Sequence, residues 1–328
     1  MNTTANTGNP QQLADRRRKL LMGYDLVSCY LMVRGRFDRS LRKYVEFALK
    51  LVRYQFLSHY FGAVPAWRMQ LRKLGRQRTL PDFCVIGAIK SGTSDLAINL
   101  MLHPNVLVPF SKEFDDADPQ DWRNYYPTAG AKQRHADRTG VALAPYLSPF
   151  LHRADVAHNL VRVRPDCKVV LVLRDPVKRF YSHWKWEVLF AGRQGAERHP
   201  FLKTFPAFVD EALKTFGNAP MHSPCGFDPI KTSLYPRAVA GWIAAFGRDK
   251  VLVMDAADYY KDRDGCLDRI YRFVGLPAFD NPLRADPVLE NPLELPPADQ
   301  ASMARLSEFF RPHNEQLWEV IGERFDWS

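Results

Sequence analysis

Between Phe83 and Leu102 the chain reads FCVIGAIKSGTSDLAINLML: a short apolar run, a Gly and Ser rich turn, then an apolar stretch of helical spacing. Gly87 and Gly92 stand at the spacing of the phosphate loop G-x-x-x-x-G-K-[ST], yet Thr93 follows the second glycine and Lys90 lies inside the loop. A turn of this kind, set between a strand and the first unpaired amides of a helix, binds anions through backbone N–H groups and the helix dipole. Gly92 lets a ligand approach the backbone, while Thr93 and Ser94 add hydroxyl donors. Lys90 can reach the bridging oxygen of a leaving group directly, which suits a transferred group of low charge. A phosphate ester is the guest these groups fit. Tight strand, turn and helix connections also occur without a ligand, but the packed series Lys90, Ser91, Gly92, Thr93, Ser94 favours the ligand.

A second element, KVVLVLRDPVKRFYSHW, begins at Lys168. Its apolar run predicts a strand ending at Leu173, Pro176 sets a turn, and a helix follows. Arg174 at the strand end and Ser182 two helical turns on can converge on one anion, arginine being the residue for forked contacts to phosphate oxygens. Lys178 and Arg179 read either as part of that site or as surface charges.

Elements must hold these groups in place. From Leu80 onward, short apolar runs (FCVIGAI, NVLVPF, KVVLVL, KVLVMD) alternate with helical stretches. That pattern predicts an α/β domain, P-loop-like, with a mainly parallel sheet covered by helices on both faces. Two polar, aromatic inserts, about 114–141 and 190–233, are expected as loops above the strand ends. The tail from Ala298 reads as helix, proline break, helix.

Before this domain, residues 1–79 form a basic extension. Residues 1–80 hold 16 Lys and Arg against 4 Asp and Glu, about +12, so that the rest carries 30 against 32 and the whole-chain +10 is N-terminal. Two amphipathic helices are expected there, followed by a linker through WRMQLRKLGRQRTLP. Their basic residues are either solvated or placed against anionic lipid or an acidic polymer. No nucleic-acid partner is expected. The five cysteines are scattered and form no C-x-x-C pair, which fits a reducing compartment and gives no sign of a metal. The longest apolar run carries Asp25 and falls short of the roughly 18 residues of a membrane span. The polar start lacks the pattern of a signal peptide. The expected location is cytoplasmic, extended to the inner face of the membrane if the N-terminal helices dock there.

PDFCVIGAIKSGTSDL and KVVLVLRDPVKRFYSHW together resemble the two nucleotide segments of sulfotransferases that use 3′-phosphoadenosine 5′-phosphosulfate. The likeness is greatest to the carbohydrate branch, of heparan sulfate type, in a bacterial-like form. HPNVLVPFSKE, LYPRAVAGWIAAFGRDKVLVMDAADYYKD and EFFRPHNEQLWEVIGERFDW extend it over 80–328. The resemblance implies that Lys90 stabilises the leaving oxygen, that Ser91, Gly92, Thr93 and Ser94 cradle the 5′-phosphosulfate, and that Arg174 and Ser182 bind the 3′-phosphate. It also implies that Glu113 takes the acceptor proton, and that adenosine 3′,5′-bisphosphate is released without any metal. Asp115, Asp116 and His183 are rival bases. The acceptor implied is a carbohydrate or lipid-linked hydroxyl or amine, with Trp122, Tyr125, Tyr126, Trp184 and Trp186 as candidate sugar platforms or, as is commoner for aromatics at such spacings, core residues. The stretches EFDDADPQDW and GVALAPYL depart from the family pattern, and Arg284 stands where that branch has a cysteine-bounded basic loop.

Two other functions fit parts of the sequence. A P-loop kinase or nucleotide hydrolase would need magnesium, with Asp255 as a candidate to hold it. A non-catalytic protein docking on anionic membranes or polysaccharides would need only residues 1–79.

Overall fold

A computed structural model describes residues 9–38, 40–57, 60–61, 64–74, 77–112, 121–135, 138–139, 150–218, 221, 223–283 and 292–327. The strands are β1 (Phe83–Val85), β2 (Val106–Leu107), β3 (Arg138–Thr139), β4 (Lys168–Leu173) and β5 (Val251–Asp255). The α-helices run α1 (Pro10–Arg34), α2 (Leu41–Tyr54), α3 (Ala66–Lys73), α4 (Thr93–Leu102), α5 (Ala129–His135), α6 (Ala154–Val163), α7 (Pro176–Arg198), α8 (Phe205–Thr215), α9 (Pro236–Phe246), α10 (Ala256–Lys261), α11 (Arg263–Val274) and α12 (Gln300–Ile321). They fall into two compact units interleaved along the chain, one from 1–24, 53–173 and 241–289, the other from 25–52, 174–240 and 290–328.

The first unit holds the sheet. Its order is β1-β4-β5, all parallel, with Phe83 opposite Lys168 and Val170 opposite Leu252. A central parallel strand is covered on both faces, which is why β4 is a continuous apolar run instead of an alternating one. Val169 to Leu173 are all fully buried. The β1 ladder outlasts the strand itself: Ile86 and Ala88 donate to Val170 and Val172 at 3.2 and 2.7 Å, and Val172 donates back to Gly87 at 2.9 Å. The phosphate-type loop therefore starts from a chain still hydrogen-bonded to the central strand. Leu96, Leu100 and Met101 of α4, Ile270 and Val274 of α11, and Leu13, Leu20 and Tyr24 of α1 share the core with Phe83, Val85 and Val170. Just before β1, buried Asp82 accepts from Lys132 and from Arg164, each at 2.5 Å.

The second unit packs Val177, Phe180 and Trp184 of α7 against Phe205, Phe208 and Val209 of α8 and Leu306 and Phe310 of α12. Three expectations change here and in the N-terminal region. The insert at 190–233 is largely helical, because FPAFVDEAL buries Phe205, Phe208, Val209 and Ala212 on one face and is capped by Thr204, which accepts from Ala207 N. The tail is one helix in which Pro312 sits without a break. Pro312 forfeits one backbone bond, but Leu306, Phe310, Leu317 and Trp318 are buried on either side and hold the axis. The stretch taken as a linker contains α3, with Pro65 just ahead of it.

Helix α7 bends at Gly192, whose φ of 69° and ψ of 178° suit glycine alone. A Cβ there would come within 2.5 Å of the Gly35 Cα, and Arg193 N donates to Gly35 O at 3.1 Å. The bend is thus locked to the end of α1. Gly192→Ala is expected to lower stability by about 1–3 kcal/mol in urea unfolding; an unchanged midpoint would contradict this.

Candidate active site

The loop between β1 and α4 sets the chemistry. Gly92 is the N-cap residue of α4, at φ 85° and ψ 11°, and no side chain caps the helix. The first amides of a helix have no partner within it, so they present an anion site. A Cβ at position 92 would run into the Tyr260 hydroxyl, so glycine is required for packing as well as for its dihedral angles. Lys90 is also left-handed, at φ 66°, an uncommon conformation for a residue with a long side chain. Such outliers concentrate where a loop is held in one functional shape. Between them Ser91 is fully buried, and its Oγ has no hydrogen-bond partner. A buried hydroxyl without a partner is costly unless a ligand supplies one. Half-buried Lys90, Thr93 and Ser94 complete the predicted set. These residues fit a phosphate ester.

Below the loop lies a polar network that the sequence reading did not single out. Asp95, in the first turn of α4, accepts from Tyr259 Oη at 2.7 Å and lies 3.3 Å from Arg263 Nε. Asn99, one turn on, donates to Asp95 Oδ2 at 3.3 Å and to Tyr259 Oη at 3.1 Å, and accepts from Asn281 at 2.8 Å. Burial pushes the Asp95 carboxyl above its usual range, with Tyr259 and Arg263 pulling back. The i, i+4 spacing of Asp95 and Asn99 was the available signal, since it puts both on one face of a helix. Their effect is to tie α4 to α10 and α11.

In the second unit, Asp175 caps α7 by accepting from Val177 N at 2.9 Å, and Pro176 occupies the first turn, where its missing N–H costs nothing. The sequence Arg-Asp-Pro thus fixes the helix start, leaving Arg174 immediately before the cap. Tyr235 Oη donates to Arg174 O at 3.0 Å, and both Arg174 and Ser182 are half-buried. Lys178 is exposed, whereas Arg179 is not a surface charge. It is fully buried, donating to Ser233 Oγ and Pro229 O at 2.7 Å each, and burial lowers its pKa to about 10.

His183 is buried in the same network. Its Nδ1 lies 3.3 Å from Arg179 Nη1 and its Nε2 lies 3.0 Å from Glu187 Oε1. Cys225 Sγ donates to Glu187 Oε1 at 2.6 Å, Cys225 N to Oε2 at 3.1 Å, and Ser223 Oγ also contacts Oε1. Although burial opposes its charge, these donors hold the Glu187 carboxyl below its usual range, and burial with the Glu187 charge pushes the Cys225 thiol well up. The ligand-type atoms of His183, Glu187 and Cys225 lie within 4.8 Å of one another, as a metal site would require. Arg179 can only donate, however, so Nδ1 accepts and the neutral ring carries its proton on Nε2, the atom that faces Glu187. That tautomer serves a hydrogen-bonded core better than metal ligation or an acceptor base.

Other predicted groups are engaged in capping or packing, or fall outside the described residues. Asp255 caps α10, accepting from Ala257 N at 3.0 Å. Trp122, Tyr126 and Trp184 are buried in the cores and offer no sugar platform, whereas Tyr125 and Trp186 are half-buried. Glu113, Asp115, Asp116, the Gly140-Val141 pair and Arg284 lie outside the described residues.

With this geometry in view, comparison with known proteins is direct. Residues 80–291 match the family described as the sulfotransferase domain. Over 279 residues the chain is 23% identical to mouse bifunctional heparan sulfate N-deacetylase/N-sulfotransferase 4, covering 74% of this chain but 30% of that protein. The chain thus spans about a third of the length of that relative. It is 24% identical to human heparan sulfate glucosamine 3-O-sulfotransferase 6, covering 77% of this chain and 75% of that one. Among solved structures, a sulfotransferase from Alicyclobacillus acidocaldarius aligns with a TM-score of 0.51 at 20% identity, over 75% of this chain and 98% of the other, a likeness of fold.

Tyr259→Phe removes one donor from Asp95 and one acceptor from Asn99 while preserving shape. A loss of about 1–3 kcal/mol in urea unfolding is expected; no loss would show that the network does not hold α4.

Proposed function

The chain belongs to the sulfotransferase family, whose donor is 3′-phosphoadenosine 5′-phosphosulfate, and we propose that its acceptor is a hydroxyl or amine of a glycan or glycolipid. The observation that carries the reading is the loop in which left-handed Lys90, buried and unpartnered Ser91 Oγ, and Gly92 precede the uncapped start of α4. The heparan sulfate and carbohydrate sulfotransferases among its relatives support the acceptor class. No observation favours a kinase or hydrolase: Asp255 is engaged as a helix cap instead of standing ready for magnesium.

When bound, the donor supplies an activated sulfuryl group. The loop amides with Ser91, Thr93 and Ser94 hold the 5′-phosphosulfate in line for attack. Glu113 takes the acceptor proton as the new S–O bond forms; a carboxylate of ordinary pKa, about 4.3, is ionised for that role near neutrality. The bridging S–O bond breaks, its electron pair passes to the 5′-phosphate oxygen, and Lys90 neutralises the charge that develops there. Arg174 and Ser182 hold the 3′-phosphate, which distinguishes this nucleotide from ATP. The sulfuryl group calls for less charge neutralisation than a phosphoryl group, so the reading needs no metal. The basic N-terminal helices belong to the same proposal: they place the enzyme against an anionic membrane surface on the cytoplasmic side, near lipid-linked acceptors.

Lys90→Ala is expected to lower turnover at least about 100-fold while binding of adenosine 3′,5′-bisphosphate persists; unchanged turnover would contradict the mechanism. Ser91→Ala should leave thermal stability equal or raised, since a buried unpaired hydroxyl is lost, yet weaken bisphosphate binding about ten-fold in calorimetry. A destabilised variant with full affinity would reverse the assignment. Incubation of the protein and radiolabelled donor with an extract of its source cells should label a glycan or glycolipid; label confined to protein would overturn the acceptor class.

A further inference from the structure

Helix α2 is inside out. Leu41, Val45, Leu49 and Val52 share one face by their spacing, and they are 79%, 51%, 59% and 62% exposed. Ala48 between them is exposed as well, and so is Phe56, just past the helix, at 73%. The polar residues take the other side. Lys43 and Lys50 pair with Glu46 at 3.0 and 2.7 Å, Cys29 Sγ of α1 contacts Lys43 O, and Phe47 meets Tyr30 of α1 at 5.8 Å between ring centroids. Helices on soluble proteins turn their apolar stripe to the core; this one turns it to solvent.

Helix α3, in the other compact unit, repeats the inversion. Arg68 and Arg72 face the protein, their guanidinium carbons 5.2 and 4.0 Å from the Phe110 ring centroid, and Arg72 donates to Asn124 O and Tyr126 O at 2.7 and 2.9 Å. Trp67, Leu71 and Leu74, spaced i, i+4, i+7, point away and are 46%, 57% and 69% exposed. Phe56 meets Trp67 edge-on at 6.4 Å.

We propose that the outward face of α2, Leu41, Val45, Leu49 and Val52, is an in-plane docking surface that inserts among the headgroups of an anionic phospholipid bilayer. Charge favours lipid over a second copy of the chain. Arg42 and Arg53 are exposed along the edge shared with Leu49. Residues 41–74 contain one acid, Glu46, which is held on the inward side between two lysines that keep its carboxyl down to about 2. Apolar residues rimmed by cations and cleared of acids complement anionic headgroups and repel their own copy. No helix among the described residues is long and apolar enough to cross a membrane, so the contact is one of surface insertion. The inference rests on the membrane placement proposed above and names the device that achieves it.

The test is co-sedimentation of full-length protein with vesicles of phosphatidylcholine alone or with phosphatidylglycerol, comparing wild type with Val45→Asn/Leu49→Asn, both changes being at exposed positions. Wild type should bind the mixed vesicles, and the double variant should bind them at least about ten-fold more weakly while its thermal unfolding and its affinity for adenosine 3′,5′-bisphosphate stay unchanged. Wild type that ignores the mixed vesicles would overturn the membrane placement itself. A variant that binds them as well as wild type would leave the placement to charge alone and overturn the role of α2. A wild-type dimer in sedimentation velocity that the variant loses would assign the face to a second copy instead.

Discussion

The start of α4 has backbone donors and no side chain to satisfy them, and the architecture of the first unit follows from that constraint. Glycine at the cap stands in place of the usual serine or aspartate, and the Tyr260 hydroxyl fills the space a Cβ would need. Such an end is stable only if the helix is held elsewhere, and it is held twice. Its apolar residues pack into the core behind the parallel sheet, and Asp95 with Asn99 ties it to Tyr259, Arg263 and Asn281. On the other side, the β1 ladder continues through Ala88, so the loop leaves the sheet only two residues before Lys90. A preorganised electrostatic site needs this rigidity, because donors that relax after the reaction starts contribute less to it.

Much of this was legible in the sequence because it is local. The glycine spacing, the displaced Lys90 and the Arg-Asp-Pro turn each encode a backbone geometry, and the structure forms that geometry at Gly92, Lys90 and Asp175. Strand β4 was readable to the residue since a strand buried on both faces has no polar positions to confuse it. What was not legible depends on partners distant in sequence. The Asp95 network recruits residues more than 150 positions away. Arg179 could not be told from a surface charge because its acceptors, Pro229 O and Ser233 Oγ, lie on a later segment. Pro312 was read as a break, but proline costs a helix only one bond and some steric strain, which buried neighbours on both sides offset.

The N-terminal helices show how periodicity alone can mislead. Spacings of three and four predict which residues share a face, and α2 keeps that prediction. They do not say which face meets the protein. In α1 the apolar side is buried, with Leu13, Leu20 and Leu31 all 5% exposed or less, whereas in α2 the apolar side is open. The distinction comes from the Lys43, Glu46 and Lys50 pairs and the Phe47 contact, which satisfy the polar face of α2 against α1.

The central claim is that the loop around Lys90 serves a nucleotide with phosphates at both ends and a departing sulfate, not a magnesium-bound triphosphate. Calorimetric titration of the purified chain with adenosine 3′,5′-bisphosphate and with ATP, each with magnesium and with EDTA, tests it most directly. The bisphosphate should bind more tightly than ATP, with the same affinity in magnesium and in EDTA; tighter, magnesium-dependent binding of ATP would refute this assignment.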